Sequence, residues 1–427
     1  MGGKWRTMML REANVTLIDC DHRTPPAAES GYPYIAIPQL KAGRLDLSAV
    51  RRISGEHYAE WTRKAKPTMH DVILSRRCNP GETAVAPHDL EFALGQNLVL
   101  LRSDGTTIFP PFLRWLVRGP DWWEQINKFI NVGAVFDSLR CADVPKFELP
   151  IPSIPEQRDI AHILGTLDDK IELNRRMNET LEAIARALFK SWFVDFEPVR
   201  AKAEGRDTGL PQEIANLFPD AFEDSELGSV PKGWRVGTVD DEFNLTMGQS
   251  PPGETYNESQ EGISFFQGRA DFGFRYPSHR IYCTAPTRFA DPGDTLISVR
   301  APVGDINMAA ERCCIGRGVA AARHKSESRS YTYYFMQAIE DVFNRFEAEG
   351  TVFGSISKKD FHNIQCIMPP TNVVQAFEEL SAPIDGKIAI NEQETSNLAT
   401  QRDALLPKLL SGEIRVKDAV NMMEVAQ

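Results

Sequence analysis

The chain has 427 residues, 42% hydrophobic and 25% charged, a balance that fits two or three folded domains and excludes disordered and fibrous classes. A net charge of −11 excludes a simple basic nucleic-acid binder. No apolar run approaches the ~18 residues of a membrane-crossing helix, and seven cysteines without a C-x-x-C pair argue against both a zinc site and a disulfide framework, so a cytoplasmic compartment is expected.

The acid is unevenly placed. Residues 1–150 hold 19 basic and 17 acidic side chains, and residues 228–370 hold 15 and 17. The excess therefore lies in the rest of the chain, and either near-neutral block can present a basic face.

In chain order, Lys4, Arg6 and Arg11 scatter among polar residues, so this stretch is not expected to act as a signal peptide. Short apolar or β-branched runs at Tyr34–Ile37, Asp71–Ser75 and Asn97–Leu101 are bounded by Pro, Gly and Asp and predict strands. A helical stretch over Pro111–Phe129 follows, then Gly133–Ser138 and Asp143–Pro145 lead to Pro152.

From Ser153 to Phe196 the pattern changes. Ile160, Leu167, Asn174, Leu181 and Leu188 recur every seven residues, and Leu164, Ile171, Asn178 and Ala185 form the second row of a coiled-coil seam. Ser153 and Glu156 mark a capping box, with Pro155 in the first turn. Such a stretch makes a rod of roughly 60 Å. The seam repeats near the C-terminus at an offset of about 217, with Leu167 answered by Ile384, Ile171 by Ile388, Asn174 by Asn391, Leu181 by Leu398 and Leu188 by Leu405. Here Asn372 and Gln375 mark the start, Pro383 predicts a kink and Pro407 a stop. Buried Asn174, Asn178 and Asn391 are expected to fix the register of two helices that pair with each other, antiparallel.

Residues 197–230 carry Gly205, Gly209, Pro211, Pro219 and Gly228, and read either as a flexible tether or as an ordered crossing packed on the helices. The second block then repeats the first. Trp234-Arg235 answers Trp5-Arg6, Ile263–Gln267 answers Tyr34–Gln39, Asp294–Arg300 answers Asp71–Arg76, and Tyr331–Phe346 supplies the helical stretch. Gly354–Asp360 answers Gly133–Asp143.

The motifs of catalysis are missing from the sequence: no phosphate loop, no H-E-x-x-H helix, no G-x-S-x-G elbow, and no Asp/Asn-Pro-Pro-aromatic loop of an amino-methyltransferase. No catalytic residue, metal site or cofactor of the chain's own is therefore expected. What recurs are polar loops at matching places. His22, Arg23 and Thr24 precede Pro25-Pro26, as Gln249 and Ser250 precede Pro251-Pro252. Gln39, Lys41 and Arg44 match Gln267, Arg269 and Arg275, while Arg76, Arg77 and Asn79 match Arg300, with Arg317 beyond. Arg pairs with guanine edges and Gln or Asn with adenine, so these are candidate DNA contacts. A coiled-coil adaptor without DNA contact, or a stand-alone DNA-acting enzyme, are the other classes open to such a chain.

Pro150-Ile-Pro-Ser-Ile-Pro-Glu-Gln157, Leu167-Asp-Asp-Lys-Ile171, Leu188-Phe-Lys-Ser-Trp-Phe193 and Leu405-Leu-Pro-Lys-Leu-Leu-Ser-Gly-Glu413 resemble the helical regions of the specificity subunit of type I restriction–modification systems. The second copy departs at Thr371–Gln375, where Pro-Glu-Gln is usual. The resemblance implies an α+β chain of two globular α/β target recognition domains, at 1–152 and 231–370. Two long helices, at 153–196 and 371–412, form an antiparallel coiled coil, with a linker at 197–230 and a tail at 413–427. It further implies a non-catalytic reader of bipartite double-stranded DNA. Two methyltransferase (modification) subunits carrying S-adenosylmethionine dock on the helices, and restriction subunits supply translocase and nuclease. Phe189, Trp192 and Phe193 are then candidate partner contacts.

Overall fold

In a computed structural model the described residues are 5–133, 136–349 and 354–419. Lys4, the middle of the Gly133–Ser138 stretch and the tail beyond residue 419 fall outside them. Two helices of 40 residues each, Ile154–Phe193 and Thr371–Leu410, dominate the chain. The first begins as its capping residues require: Glu156 accepts from the Ser153 amide at 3.0 Å and from its hydroxyl at 2.8 Å. Asn372 at the second start accepts from the Val373 amide at 3.0 Å. The second helix runs on through Pro383 and ends just past Pro407. Pro383 lies on an exposed face, where water can satisfy the carbonyl it frees.

The chain forms two units, Met1–Glu172 with Ser396–Gln427, and Leu173–Thr395. It passes between them at two places, both inside the long helices.

In unit 1, strands β1 (Val15–Asp19), β2 (Tyr32–Ile35), β3 (Arg51–Ile53), β4 (Val72–Ser75), β5 (Thr83–Val85), β6 (Ala93–Leu94) and β7 (Leu98–Ser103) make two sheets. One has the order β1-β7-β4-β5, all antiparallel. The other is β3-β2-β6, in which β2 and β6 are parallel with Tyr34 opposite Ala93. The run expected to Ile37 ends at Ile35 because Pro38 cannot donate to a ladder, and Ile37–Gln39 forms a 3-10 turn instead. The helical stretch splits into Pro110–Leu116 and Pro120–Phe129, Pro120 opening the second helix. Phe112, Trp115, Trp122 and Phe147 share a core with Ile160, Leu164 and Leu167 of the first long helix and Leu405, Leu406 and Leu409 of the second.

Unit 2 holds β8 (Phe243–Met247), β9 (Tyr256–Asn257), β10 (Ile263–Phe266), β11 (Tyr282–Cys283), β12 (Phe289–Ala290), β13 (Thr295–Val299), β14 (Val303–Met308), β15 (Cys313–Ile315) and β16 (Val319–His324). The order β8-β16-β13-β14 repeats the first sheet of unit 1 strand for strand. The second sheet, β9-β11-β10-β15-β12, again has one parallel pair, with Phe265 opposite Cys314. Residues 197–231 are ordered and pack within this unit: Val199, Ala215 and Phe218 are buried, and Phe218 meets Trp192 edge-on with ring centroids 5.0 Å apart. Cys313 and Cys314 are buried in their strand, and burial pushes the Cys313 thiol up to about 12. No helix among the described residues is long and apolar enough to cross a membrane.

Candidate nucleic-acid interface

In unit 2 the turn Gly316-Arg317-Gly318 joins β15 to β16, closed by the Val319 amide donating to the Gly316 carbonyl at 2.9 Å. Neighbouring strand ends converge on it. The Gln249 amide donates to Ile315 O at 3.0 Å, the Gly316 amide to Phe266 O at 2.9 Å and the Val299 amide to Gly318 O at 2.9 Å. The Arg317 amide donates to the Ser250 hydroxyl at 3.3 Å. Gln249, Ser250, Gln267, Arg300 and Arg317 are thereby brought to one end of the sheets. The approach demands glycine: a Cβ on Gly248 would lie 2.2 Å from the Gly316 carbonyl oxygen, and one on Gly318 2.3 Å from that of Gln267. Gln249, Gln267, Arg300 and Arg317 are exposed.

Unit 1 builds the same end from different residues. Gly95-Gln96-Asn97 joins β6 to β7, with the Leu98 amide reaching Gly95 O at 3.3 Å and the Gly95 amide reaching Ile35 O at 2.6 Å. Gln96 Nε2 donates to the Thr24 hydroxyl at 3.1 Å, so the loop carrying His22, Arg23 and Thr24 meets the turn as the Ser250 loop does in unit 2. The Arg76 amide reaches Asn97 O at 2.9 Å. Gln96 was not among the sequence candidates, although Gly95 answers Gly316 in the repeat and marks the turn. His22 contacts Asp19 at 3.1 Å, and Arg23 lies 4.7 Å over the Trp61 ring while pairing with Asp21 and Glu60.

Other candidates fall elsewhere. Gln39 closes its 3-10 turn by accepting from the Ala36 amide at 3.1 Å, Lys41 pairs with Asp46 at 2.6 Å and Arg269 with Asp305 at 3.0 Å. Arg76 is 12% exposed and donates to Leu139 O. Arg77 stands over Phe136, and Asn79 is exposed.

Two candidate arginines are corrected to structural roles. Arg275 is fully buried: it pairs with Asp385 at 2.7 Å and Glu182 at 3.0 Å, donates to the Tyr334 hydroxyl at 2.9 Å and stacks 4.0 Å from the Tyr333 centroid. Burial opposes its charge, but the two tyrosines and two carboxylates outweigh burial and keep it protonated. Arg44 pairs with Glu172 at 2.7 Å and Asp168 at 3.2 Å. Asp168 also meets Arg114, and Arg402 at 2.6 Å. Burial, then Arg44 and Arg118, lower Arg114 to about 9, still protonated at neutral pH. Each head thus sends an arginine to a helix aspartate, and Asp385 is the repeat of Asp168. The aromatic trio is corrected likewise. Phe189, Trp192 and Phe193 are 3%, 1% and 9% exposed and pack on Phe377 and Tyr331 within their own unit.

The register residues meet. Asn391 Nδ2 donates to Asn178 Oδ1 at 2.8 Å, Asn178 Nδ2 to Glu392 at 3.1 Å and Asn174 Nδ2 to Glu394 at 2.8 Å. With Phe189 against Phe377, partner numbers fall on one helix as they rise on the other, so the pair is antiparallel. Asp19, Cys20 and His22 bring donor atoms within 4.8 Å of one another. Burial, then Asp19, raises the Cys20 thiol to about 11, and it donates to Gly95 O at 3.2 Å, so it is a poor metal ligand.

Two heads of one topology, each with a latched polar turn, on antiparallel helices define a repeat-built recognition protein. A family model described as the type I restriction modification DNA specificity domain matches residues 22–183. A protein of Methanocaldococcus jannaschii assigned as the specificity subunit of the type I restriction enzyme MjaX is 31% identical over 402 residues, covering 91% of this chain and 88% of that one. The HindI specificity subunit of Haemophilus influenzae is 24% identical, over 81% and 86% of the two chains. The solved type I restriction–modification S subunit of M. genitalium has the same fold, with a TM-score of 0.55 at 16% identity over 95% of this chain and 96% of that one. The chain belongs to the specificity subunits of type I restriction–modification systems, and its role is to supply DNA sequence specificity.

Proposed function

We propose that residues 1–152 and 231–370 are two target recognition domains, each reading one half of a bipartite duplex site. Helices 153–196 and 371–412 set the unread gap and dock two methyltransferase subunits, and restriction subunits complete the assembly. The 197–230 segment and the tail from 413 connect and finish this scaffold. The chain itself carries no chemistry and acts in the cytoplasm. The observation that carries this reading is the recurrence of one latched, Gly-preceded turn in both heads with different side chains on it, as two unlike half-sites require. That the chain crosses between units only within the helices supports their part in fixing the gap.

Co-expression with modification and restriction subunits in a host lacking adenine methylation tests this. One bipartite motif should appear in the methylation map, and a one-turn insertion in either helix should change the gap and leave both halves intact. An unchanged gap removes the spacing role.

A further inference from the structure

The exposed polar residues at the two sheet ends are not equal in what holds them. Gln249 and Gln267 lie on segments that pack against the turn, whereas Arg317 is its apex, flanked by residues without side chains. Its main chain is fixed by the Ser250 hydroxyl at 3.3 Å and by the bond closing Gly316 to Val319. Its guanidinium makes no hydrogen bond or ion pair with any other described residue, unlike Arg269, Arg275 and Arg323. A rigid base and an uncommitted fork are what bidentate recognition needs. In unit 1 the apex is Gln96, on the turn between β6 and β7 that matches the one between β15 and β16. Thr24, the counterpart of Ser250, holds one Gln96 amide hydrogen at 3.1 Å. That leaves the second amide hydrogen and Oε1, one donor and one acceptor, for a ligand.

Resting on the two-headed reading above, we propose that positions 317 and 96 are equivalent base-reading positions. Arg317 selects guanine through its N7 and O6, and Gln96 selects adenine through its N7 and N6, each in its own unit's half-site. The two half-sites would then differ at this step through a single exchange of apex residue.

The test uses the assembled complex of this chain with its methyltransferase subunits. Motifs are read both from methylation mapping in cells and from selection of bound duplexes out of a random library by the purified complex. Arg317→Gln should change the preference at one base pair of one half by about tenfold to a hundredfold, from guanine toward adenine, and leave the other half untouched. Gln96→Arg should make the reciprocal change in the other half. Retention of the parental motif by both variants overturns the proposal. A uniform loss of affinity in Arg317→Ala, with the salt slope reduced by about one and base preference unchanged, also overturns it, because it makes Arg317 a phosphate contact. Failure of the parental complex to select any sequence would instead strike the two-headed reading itself. Selection of bound duplexes does not depend on methylation, so a variant that binds but no longer methylates still decides the point.

Discussion

Asp168 and Asp385 are repeats of one another, and each receives an arginine from the head of its own unit, Arg44 and Arg275. The surroundings differ. Asp168 also holds Arg114 and Arg402, so no single arginine is indispensable to it. Among the described residues Arg275 is the one cation paired with Asp385, and it shares Glu182 with Arg186. Arg275→Met should therefore leave part-buried Asp385 with no ion-pair partner among the described residues, while Glu182 keeps Arg186 at 3.2 Å, and should destabilise the protein by about 3–5 kcal/mol. Arg275→Lys should recover little of this, since one ammonium cannot span both carboxylates and the tyrosine face. Arg44→Met should cost markedly less. Denaturant unfolding of the three variants checks the order.

The bond between Asn391 and Asn178 is buried in the helix pair, and Asn391 Oδ1 has no partner among the described residues. Replacing Asn391 by Leu strands Asn178 Oδ1 and should cost about 1–3 kcal/mol. Replacing both by Leu should recover stability, or exceed the parent, while loosening the register. Thermal unfolding measures the first effect. The second appears as more than one gap length in the methylation map.

Glu392 accepts from Asn178 and is held mostly out of water. Burial raises its pKa above the ordinary 4.5, more than Asn178 and the nearby Arg275 lower it, and Glu182 raises it further. The folded state therefore binds a proton more tightly than the unfolded one. Its contribution to stability is fully present below about pH 4.5 and is lost as pH rises through the folded pKa. Glu392→Gln keeps an acceptor for Asn178 and carries no charge. It should be more stable than the parent at neutral pH, and the difference should vanish on acidification to about pH 4. Parallel melting curves from pH 4 to 8 check the sign.

Much of this was legible in the sequence, because heptads and repeats report directly on packing. Ile160, Leu164, Leu167, Ile171 and Ala185 of the predicted rows are buried, as are Asn174, Asn178 and Asn391, whereas Leu181 and Leu188 are half-buried beside the buried Glu182 and Phe189. Strand runs were legible wherever Gly or Pro bounded them. The surface sites were less so. Arg275 and Arg317 are both arginines in loops, and no local pattern separates the one that a helix carboxylate draws inward from the one that a glycine-flanked turn holds outward. Phe189, Trp192 and Phe193 share the helix surface with exposed residues, but their neighbours Tyr331 and Phe377 come from distant sequence. Gln96 went unread because a single glutamine beside a glycine carries no signal until the repeat aligns it with Arg317.

Burial of those three aromatics removes them as partner contacts. Leu173, Ile184 and Ile390 are 53%, 52% and 62% exposed, apolar, and on the long helices. Covering these aliphatic side chains with a partner would remove apolar surface from water. Ile184→Asp combined with Ile390→Asp should leave the melting temperature within about 1–2 °C of the parent, because neither side chain belongs to a core. The same change should weaken capture of a methyltransferase subunit by at least about tenfold, the effect of losing about 1.4 kcal/mol at an interface. Trp192→Ala should do the opposite. It opens a cavity against Phe218 and Phe377 and should cost about 3–5 kcal/mol of stability. Any fraction that remains folded should bind the partner as the parent does. Titration of purified partner against each variant, beside its unfolding curve, separates the two, and equal capture by the double aspartate variant would exclude Ile184 and Ile390 from the docking surface.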